Sequence, residues 1–403
     1  MPLSFRVEAR SGAARAGVLT TPHGTIATPA FMPVATQASV KTLTPDEARD
    51  LGADILLCNT YHLYLRPGVE VVERLGGLHR FMGWDGPILT DSGGYQAFSL
   101  GALRRVTDDG VLFRSHIDGN EHLFTPESAV EHQARLGADI AMCLDHCVAH
   151  GERAEAVRDA MERTHRWAAR CRQAPRPPGQ ALFGIAQGGT DRAMREESAR
   201  FLASLEFDGY AIGGLAVGES KTLMYETAAF TAERLPEERP RYLMGVGAPD
   251  DLVECVARGV DMFDCALPTR VARNGGLFTR KGRVDLTAAR FREQDAPLDD
   301  GCDCYACRHF SAAYLNHLYR AGELLALRLG TLHNLRFVLR LMADMRRAIA
   351  DGAFEAFRAS FLIEYVPTDE ATRVANKARW MDARGVRRAV REERTNGGYR
   401  SSD

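Results

Sequence analysis

Ala181-Leu182-Phe183-Gly184-Ile185-Ala186-Gln187, a helical interval, then Gly209-Tyr210-Ala211-Ile212-Gly213-Gly214 is the stretch that decides the fold. Each run is short, apolar and β-prone, and each is followed by helical periodicity, which is the signature of parallel strands joined by crossover helices. Working outward, similar runs occur at Phe31 to Thr36, Ile55 to Thr60, Pro87 to Asp91, Asp139 to Asp145, Arg241 to Val246 and Asp261 to Leu267. Together they make eight. Helix openings follow most of them: Thr44-Pro45-Asp46-Glu47 offers an N-cap, Pro at the first helical position and a Glu three residues on, and Thr125-Pro126-Glu127-Ser128 and Ala248-Pro249-Asp250 look alike. The expected class is α/β, a (β/α)8 TIM barrel over residues 1–290.

Two insertions are expected. Val111 to Ile117 and Glu121 to Phe124 flank the turn-prone Asp118-Gly119-Asn120, which predicts a hairpin after the third strand. Residues 291–365 read as a helical, zinc-binding subdomain packed on the barrel. The arginine-rich stretch 366–403, with Asn396-Gly397-Gly398 near its end, reads as a flexible tail, for which a solvated role outweighs an RNA-binding arm.

The 403 residues, 45% of them hydrophobic, can bury a large core, while a net charge of −2 favours no class of partner. Any nucleic acid must therefore meet a local basic patch. The N-terminal residues lack the apolar run of a signal peptide, and no stretch of about twenty apolar residues occurs. Nine cysteines, mostly scattered, argue against a disulfide framework and for a reducing cytoplasm.

Three of those cysteines are not scattered. Cys302-Asp303-Cys304-Tyr305-Ala306-Cys307, with His333 further on, supplies a full tetrahedral set of zinc ligands. Four protein ligands leave no position for water or substrate, so the metal is expected to hold structure. His333 lies beyond ordinary finger spacing, and on spacing alone it reads equally well as a core histidine.

Chemistry in such a barrel belongs at the C-terminal strand ends. There stand Asp91-Ser92-Gly93-Gly94-Tyr95-Gln96, Asp145, Gln187-Gly188-Gly189, Gly213-Gly214 and Asp264. Glycines allow close backbone approach to a flat ligand, and Asp and Gln can read its edge, so the set suggests a planar heterocycle. Each residue has a bland alternative: Asp91 as a turn carboxylate, Gln187 as a partner for backbone groups, Tyr95 and Met244 as core. Asp264, among Met262, Phe263, Cys265 and Leu267, is harder to dismiss, because a carboxylate in an apolar strand must be paired, hydrogen-bonded or functional. Two carboxylates at one sugar carbon are the apparatus of a retaining glycosidase, and if a second base replaces water as acceptor the outcome is base exchange.

At these residues the chain resembles the bacterial queuine tRNA-ribosyltransferases, the tRNA-guanine transglycosylases, from about Phe5 to Tyr365. The resemblance rests on Asp91 to Gln96, Gly213 to Glu219, Tyr242 to Gly247, Asp261 to Cys265, Leu267-Pro268-Thr269-Arg270 with Arg273-Asn274-Gly275, and the cysteine cluster with Thr331-Leu332-His333-Asn334. It implies that Asp264 attacks the anomeric carbon of a wobble guanosine in certain tRNAs and that Asp91 is the general acid/base for incoming 7-aminomethyl-7-deazaguanine. It further implies base reading by Asp145, Gln187, Gly213, Gly214 and Leu215, and stacking between Tyr95 and Met244. Glu219 is implied to stand behind the Leu215 peptide, and Val217 and Cys147 to face the ring substituent. Arg270, Arg273, Tyr242 and Gly245 are implied to contact RNA, Cys302, Cys304, Cys307 and His333 to bind zinc, and the chain to form a homodimer. His146, where Glu is common, and Ala186, where Gln is frequent, depart from the pattern.

Three rivals remain on the sequence. A zinc nucleobase deaminase needs an open metal position and a His-x-Glu beside it, absent near Cys302. A non-catalytic RNA-binding partner subunit would be expected to lose Asp264 and Asp91, and a simple glycosidase would release free sugar.

Overall fold

The computed structural model describes residues 3–94 and 104–369. Its first unit, unforeseen in the sequence, is an antiparallel sheet of β1 (Ser4–Ser11), β2 (Ala14–Thr21) and β3 (Gly24–Thr28). Leu19 and Ile26 from this sheet pack with the innermost barrel residues, so the sheet plugs the barrel's N-terminal end.

The barrel follows as β4 (Ala30–Met32), β5 (Val34–Ala35), β6 (Leu56–Asn59) and β7 (Ile88–Asp91). After an antiparallel excursion through β8 (Arg104–Val106), β9 (Val111–Arg114) and β10 (Glu121–Phe124) it resumes. The remaining strands are β11 (Ile140–Met142), β12 (Ala181–Ala186), β13 (Gly209–Ile212), β14 (Arg241–Leu243) and β15 (Met262–Asp264). All neighbours pair in parallel, in the order β4-β15-β14-β13-β12-β11-β7-β6-β5. The run expected from Phe31 to Thr36 is two pieces, because Pro33 has no N–H for the ladder. Before it the chain pairs with β15, after it with β6, and that change of partner closes the sheet on itself.

Side chains alternate between the barrel interior and the helix layer. In β12, Ala181, Phe183 and Ile185 point inward, and in β15 Met262 does, whereas Leu182 and Phe263 join the outer core. The same period carries past the last apolar residue. Asn59, Asp91, Gln187, Gly213, Met244 and Asp264 each stand two positions beyond an inward residue, so six strands deliver them to one mouth.

Most strands are shorter than their apolar runs, which continue as buried chain past the strand ends, as at Cys143 and Leu144 after β11. The three anticipated helices are present as Pro45–Asp50, Pro126–Leu136 and Pro249–Val256. Thr44 and Thr125 form full capping boxes, while Ala248 contributes no side-chain cap. Beyond the barrel lie β16 (Gly276–Thr279), β17 (Gly282–Asp285) and the helix Leu324–Ala350. No helix among the described residues is long and apolar enough to cross a membrane.

Candidate active site

Asp264 is half-buried at the end of β15. The Tyr242 hydroxyl (2.6 Å) and the Gly245 backbone N–H (2.8 Å) both donate to its Oδ1. Among the described residues nothing donates to Oδ2. One oxygen is therefore fixed and the other kept available, as an attacking carboxylate requires. Burial pushes the Asp264 carboxyl above the ordinary range, against the pull of those two bonds. Gly245 has a φ of +75°, a backbone state that favours glycine, and this turn is what aims its N–H at the carboxylate.

Asp91 ends β7, where the Thr60 N–H donates to Oδ1 (2.9 Å) and the Asn59 amide to Oδ2. Asn59 and Thr60 open the helix Thr60–Leu65, so a helix start is turned onto the carboxylate. Neither residue was singled out in the sequence; the signal was there in Asn59, a polar residue ending the apolar Leu56-Leu57-Cys58 run. The two aspartates share a neighbourhood: the buried Tyr242 hydroxyl is pushed well up by burial and by the charges of Asp264 and Asp91.

Beside them lie the residues expected to read a base. Gln187 donates its amide N–H to Asp145 Oδ2 (2.7 Å), and both side chains are buried. Burial, opposed by the Gln187 bond and reinforced by Asp91, raises the Asp145 carboxyl to about 6. A Cβ on Gly213 would sit 2.7 Å from the Gln187 amide nitrogen, and one on Gly214 2.3 Å from its oxygen. The two glycines are thus what lets Gln187 lie across the backbone. Behind them Glu219 accepts from the N–H groups of Ala216, Val217 (3.1 Å) and Gly218 (3.1 Å). Because a trans peptide sets N–H and C=O on opposite sides, the Leu215 carbonyl points away from Glu219.

Val217 is half-buried and Cys147 buried; Met244, just past β14, is half-buried and packs against the inward-facing residues. Arg270 is exposed and Arg273 half-buried on the helix Leu267–Ala272 and just past it, immediately after Asp264. Tyr242 and Gly245 lie against Asp264 itself. The Arg163 guanidinium donates to His146 Nδ1 (3.2 Å), next to Asp145. Tyr95 and Gln96 lie outside the described residues.

The cysteines meet His333 in space. His333 Nδ1 lies 3.6, 3.5 and 3.3 Å from Sγ of Cys302, Cys304 and Cys307. Zinc bond lengths at a tetrahedral angle give an S-to-N separation of about 3.5 Å, so the set fits that ion. His333 Nε2–H donates to the Phe278 carbonyl (2.6 Å), leaving Nδ1 as the metal-facing nitrogen. These four residues can hold a metal ion.

The profile of the queuine tRNA-ribosyltransferase family matches residues 10–367. The chain belongs to that family. Curated queuine tRNA-ribosyltransferases are similar along most of its length: that of Pelotomaculum thermopropionicum is 57% identical over 367 residues, covering 91% of this chain and 99% of the relative. That of Desulforudis audaxviator is 59% identical over 350 residues, 87% of this chain and 94% of the relative. Family membership makes the protein an enzyme, a tRNA-guanine transglycosylase acting in queuosine biosynthesis.

Proposed function

We propose that the enzyme exchanges the wobble guanine of specific tRNAs for 7-aminomethyl-7-deazaguanine by double displacement through Asp264. The observation that carries this is the asymmetric carboxylate, with both donors on Oδ1 and Oδ2 left to react. An Oδ2 lone pair forms a bond to the ribose C1′ as the bond to guanine N9 breaks and the Asp91 carboxyl gives the departing base its proton, leaving an ester of the RNA, free guanine and an ionised Asp91. Asp91 takes the N9 proton of the incoming base, whose nitrogen then displaces Asp264 from the opposite face. Two inversions retain configuration.

Asp145, Gln187, Gly213, Gly214 and Leu215 read the base, with Met244 and Tyr95 at its faces. Val217 and Cys147 bound the substituent, Glu219 backs the Leu215 peptide, and Arg270 and Arg273 meet the phosphates beside the extruded nucleotide. Zinc on Cys302, Cys304, Cys307 and His333 is structural, and the working unit is a homodimer in the cytoplasm.

Labelled guanine incubated with unmodified tRNA should enter the RNA. Asp264→Asn should bind tRNA, form no denaturant-resistant adduct, and lose about 10⁴-fold or more in turnover. Near-normal turnover in that variant would remove Asp264 from the nucleophile's role, and release of free sugar would mark a glycosidase instead.

A further inference from the structure

Lys221 opens the helix Lys221–Ala232 and grips the start of the next one, Pro249–Val256. Its ammonium lies against Asp250 Oδ2 and Asp251 Oδ1, the latter at 2.8 Å, and one turn further on the Tyr225 hydroxyl donates to the same Asp251 oxygen (2.5 Å). The Lys221, Asp250 and Asp251 side chains are only 22%, 8% and 14% exposed. Burial works against a charged lysine, but the two carboxylates more than offset it and hold the ammonium above its ordinary range. Without that ammonium two carboxylates would stand unpaired in the interior, and the turn that carries them would have to move toward water.

That turn leads to Asp264. Ser220 caps the first helix through the Leu223 N–H (3.3 Å), whereas Ala248 offers the second no side-chain cap, so its first turn is fixed through Asp250 and Asp251. Upstream of Asp250 stands Gly245, whose N–H holds Asp264 Oδ1. Between them Gly247 is pressed on the residue after Asp264, for a Cβ there would lie 2.4 Å from the Cys265 Cβ. The segment from Gly245 to Asp250 thus has the carboxylate at one end, the ion cluster at the other and no slack at its middle.

A donor on Oδ1 acts unevenly on the two forms of Asp264. It stabilises the free carboxylate more than the ester, because a charged acceptor makes the stronger hydrogen bond. Weakening it makes the carboxylate a poorer leaving group in the second displacement, where the incoming N9 bonds to C1′, the C1′–Oδ2 bond breaks and its electron pair returns to Asp264.

We propose that Lys221 is a positioning residue for the second displacement: by clamping Asp250 and Asp251 it seats the Gly245 N–H on Asp264 as that carboxylate leaves the ribose. This rests on the double displacement proposed above.

The test uses full-length enzyme and unmodified tRNA. Denaturant-resistant adduct is formed first and then chased with saturating 7-aminomethyl-7-deazaguanine. In Lys221→Met the adduct should decay about tenfold more slowly than in the wild type, while the base concentration for half-maximal decay changes by less than about threefold. A folded Lys221→Met enzyme whose adduct decays at the wild-type rate overturns the proposal, and so does a loss confined to the folded fraction or to the base concentration required. If Lys221→Met does not fold, Asp250→Asn decides, because it keeps one acid paired with one base in the interior. Decay slowed by about threefold in that variant sustains the proposal, and decay at the wild-type rate overturns it. Wild-type enzyme that forms no adduct would instead overturn the exchange reading.

Discussion

Asp145 carries two opposed demands. To read a guanine-like base as proposed, it must be ionised and accept the N–H donors on that edge, yet burial and the Asp91 charge hold it at about 6. Below that value it is protonated and offers the base a hydrogen where an acceptor is wanted. KM for the base should therefore rise as pH falls from 7 to 5, by up to about tenfold per unit below the pKa, and Asp145→Asn should flatten the dependence. A KM independent of pH in the wild type would remove Asp145 from base reading. For the stability of the free protein the sign reverses: a carboxyl raised on folding costs stability progressively as pH climbs from its unfolded value of about 4 to about 6.

Selectivity at the same scale turns on volume. On the proposed reading half-buried Val217 and buried Cys147 bound the ring substituent, and branched Val217 fills space that a glycine would leave open, which favours the aminomethyl arm over the cyclopentenediol of queuine. Steric overlap discriminates more strongly than a missing methylene, which is worth about 1–3 kcal/mol. In side-by-side assays on one tRNA the aminomethyl base should be incorporated far faster than queuine, and Val217→Gly should narrow the gap. Equal use of both by the wild type would refute this pocket.

Among the elements, the helix Leu324–Ala350 joins metal cluster to barrel. His333 bonds the Phe278 carbonyl, and the neighbouring Asn334 amide donates to the carbonyls of Pro268 and Gly276 (3.0 Å each) while accepting the Phe278 N–H. Pro268 lies on the helix that directly follows Asp264 and carries Arg270. Metal binding should therefore stiffen the segment that follows Asp264. His333→Ala should lower metal affinity by about 100-fold or more, with exchange activity falling in step with the folded fraction. Metal analysis and thermal melting check this, and a well-folded, fully active, metal-free variant would contradict it.

Across the whole molecule, the N-terminal sheet is bound to the barrel by a pair at its floor. The Arg15 guanidinium donates to both oxygens of Asp261, at the start of the β15 segment, and to the carbonyls of Glu237 and Arg239. Both side chains are essentially inaccessible to water. Arg15→Met leaves a buried carboxylate without its cation, a loss of about 3–5 kcal/mol, so the melting temperature should drop markedly. Because the pair lies at the end opposite the mouth, KM for the base in the folded variant should stay near the wild-type value. A changed KM would show that floor and mouth are coupled.

A second histidine and aspartate cluster lies at this end. Each oxygen of buried Asp139 is hydrogen-bonded to one imidazole, His23 Nδ1 at 2.7 Å and His79 Nε2 at 3.2 Å. The rings stack 3.6 Å apart, so their nitrogens point side by side, and the group reads as a hydrogen-bonded cluster tying the β2–β3 turn to the barrel floor.

The barrel, its capping boxes, the cysteine cluster and the mouth aspartates were legible in the sequence because each is local: period-two alternation, a cap within four residues, three thiols within six. Even the inward aim of Asp264 follows from counting two positions from Met262. Tertiary structure alone decided the rest. β1 to β3 have no apolar run of their own, and their value lies in plugging a barrel formed by later residues. Arg15, Arg195 and Asn59 carry meaning only through Asp261, the carbonyls of Ala186 and Gly213, and Asp91 respectively. Which oxygen of Asp264 stays open depends on Tyr242 and Gly245, one strand away. Alternation and capping are properties of neighbouring residues, whereas the cost of a buried charge is set by whatever folding brings beside it.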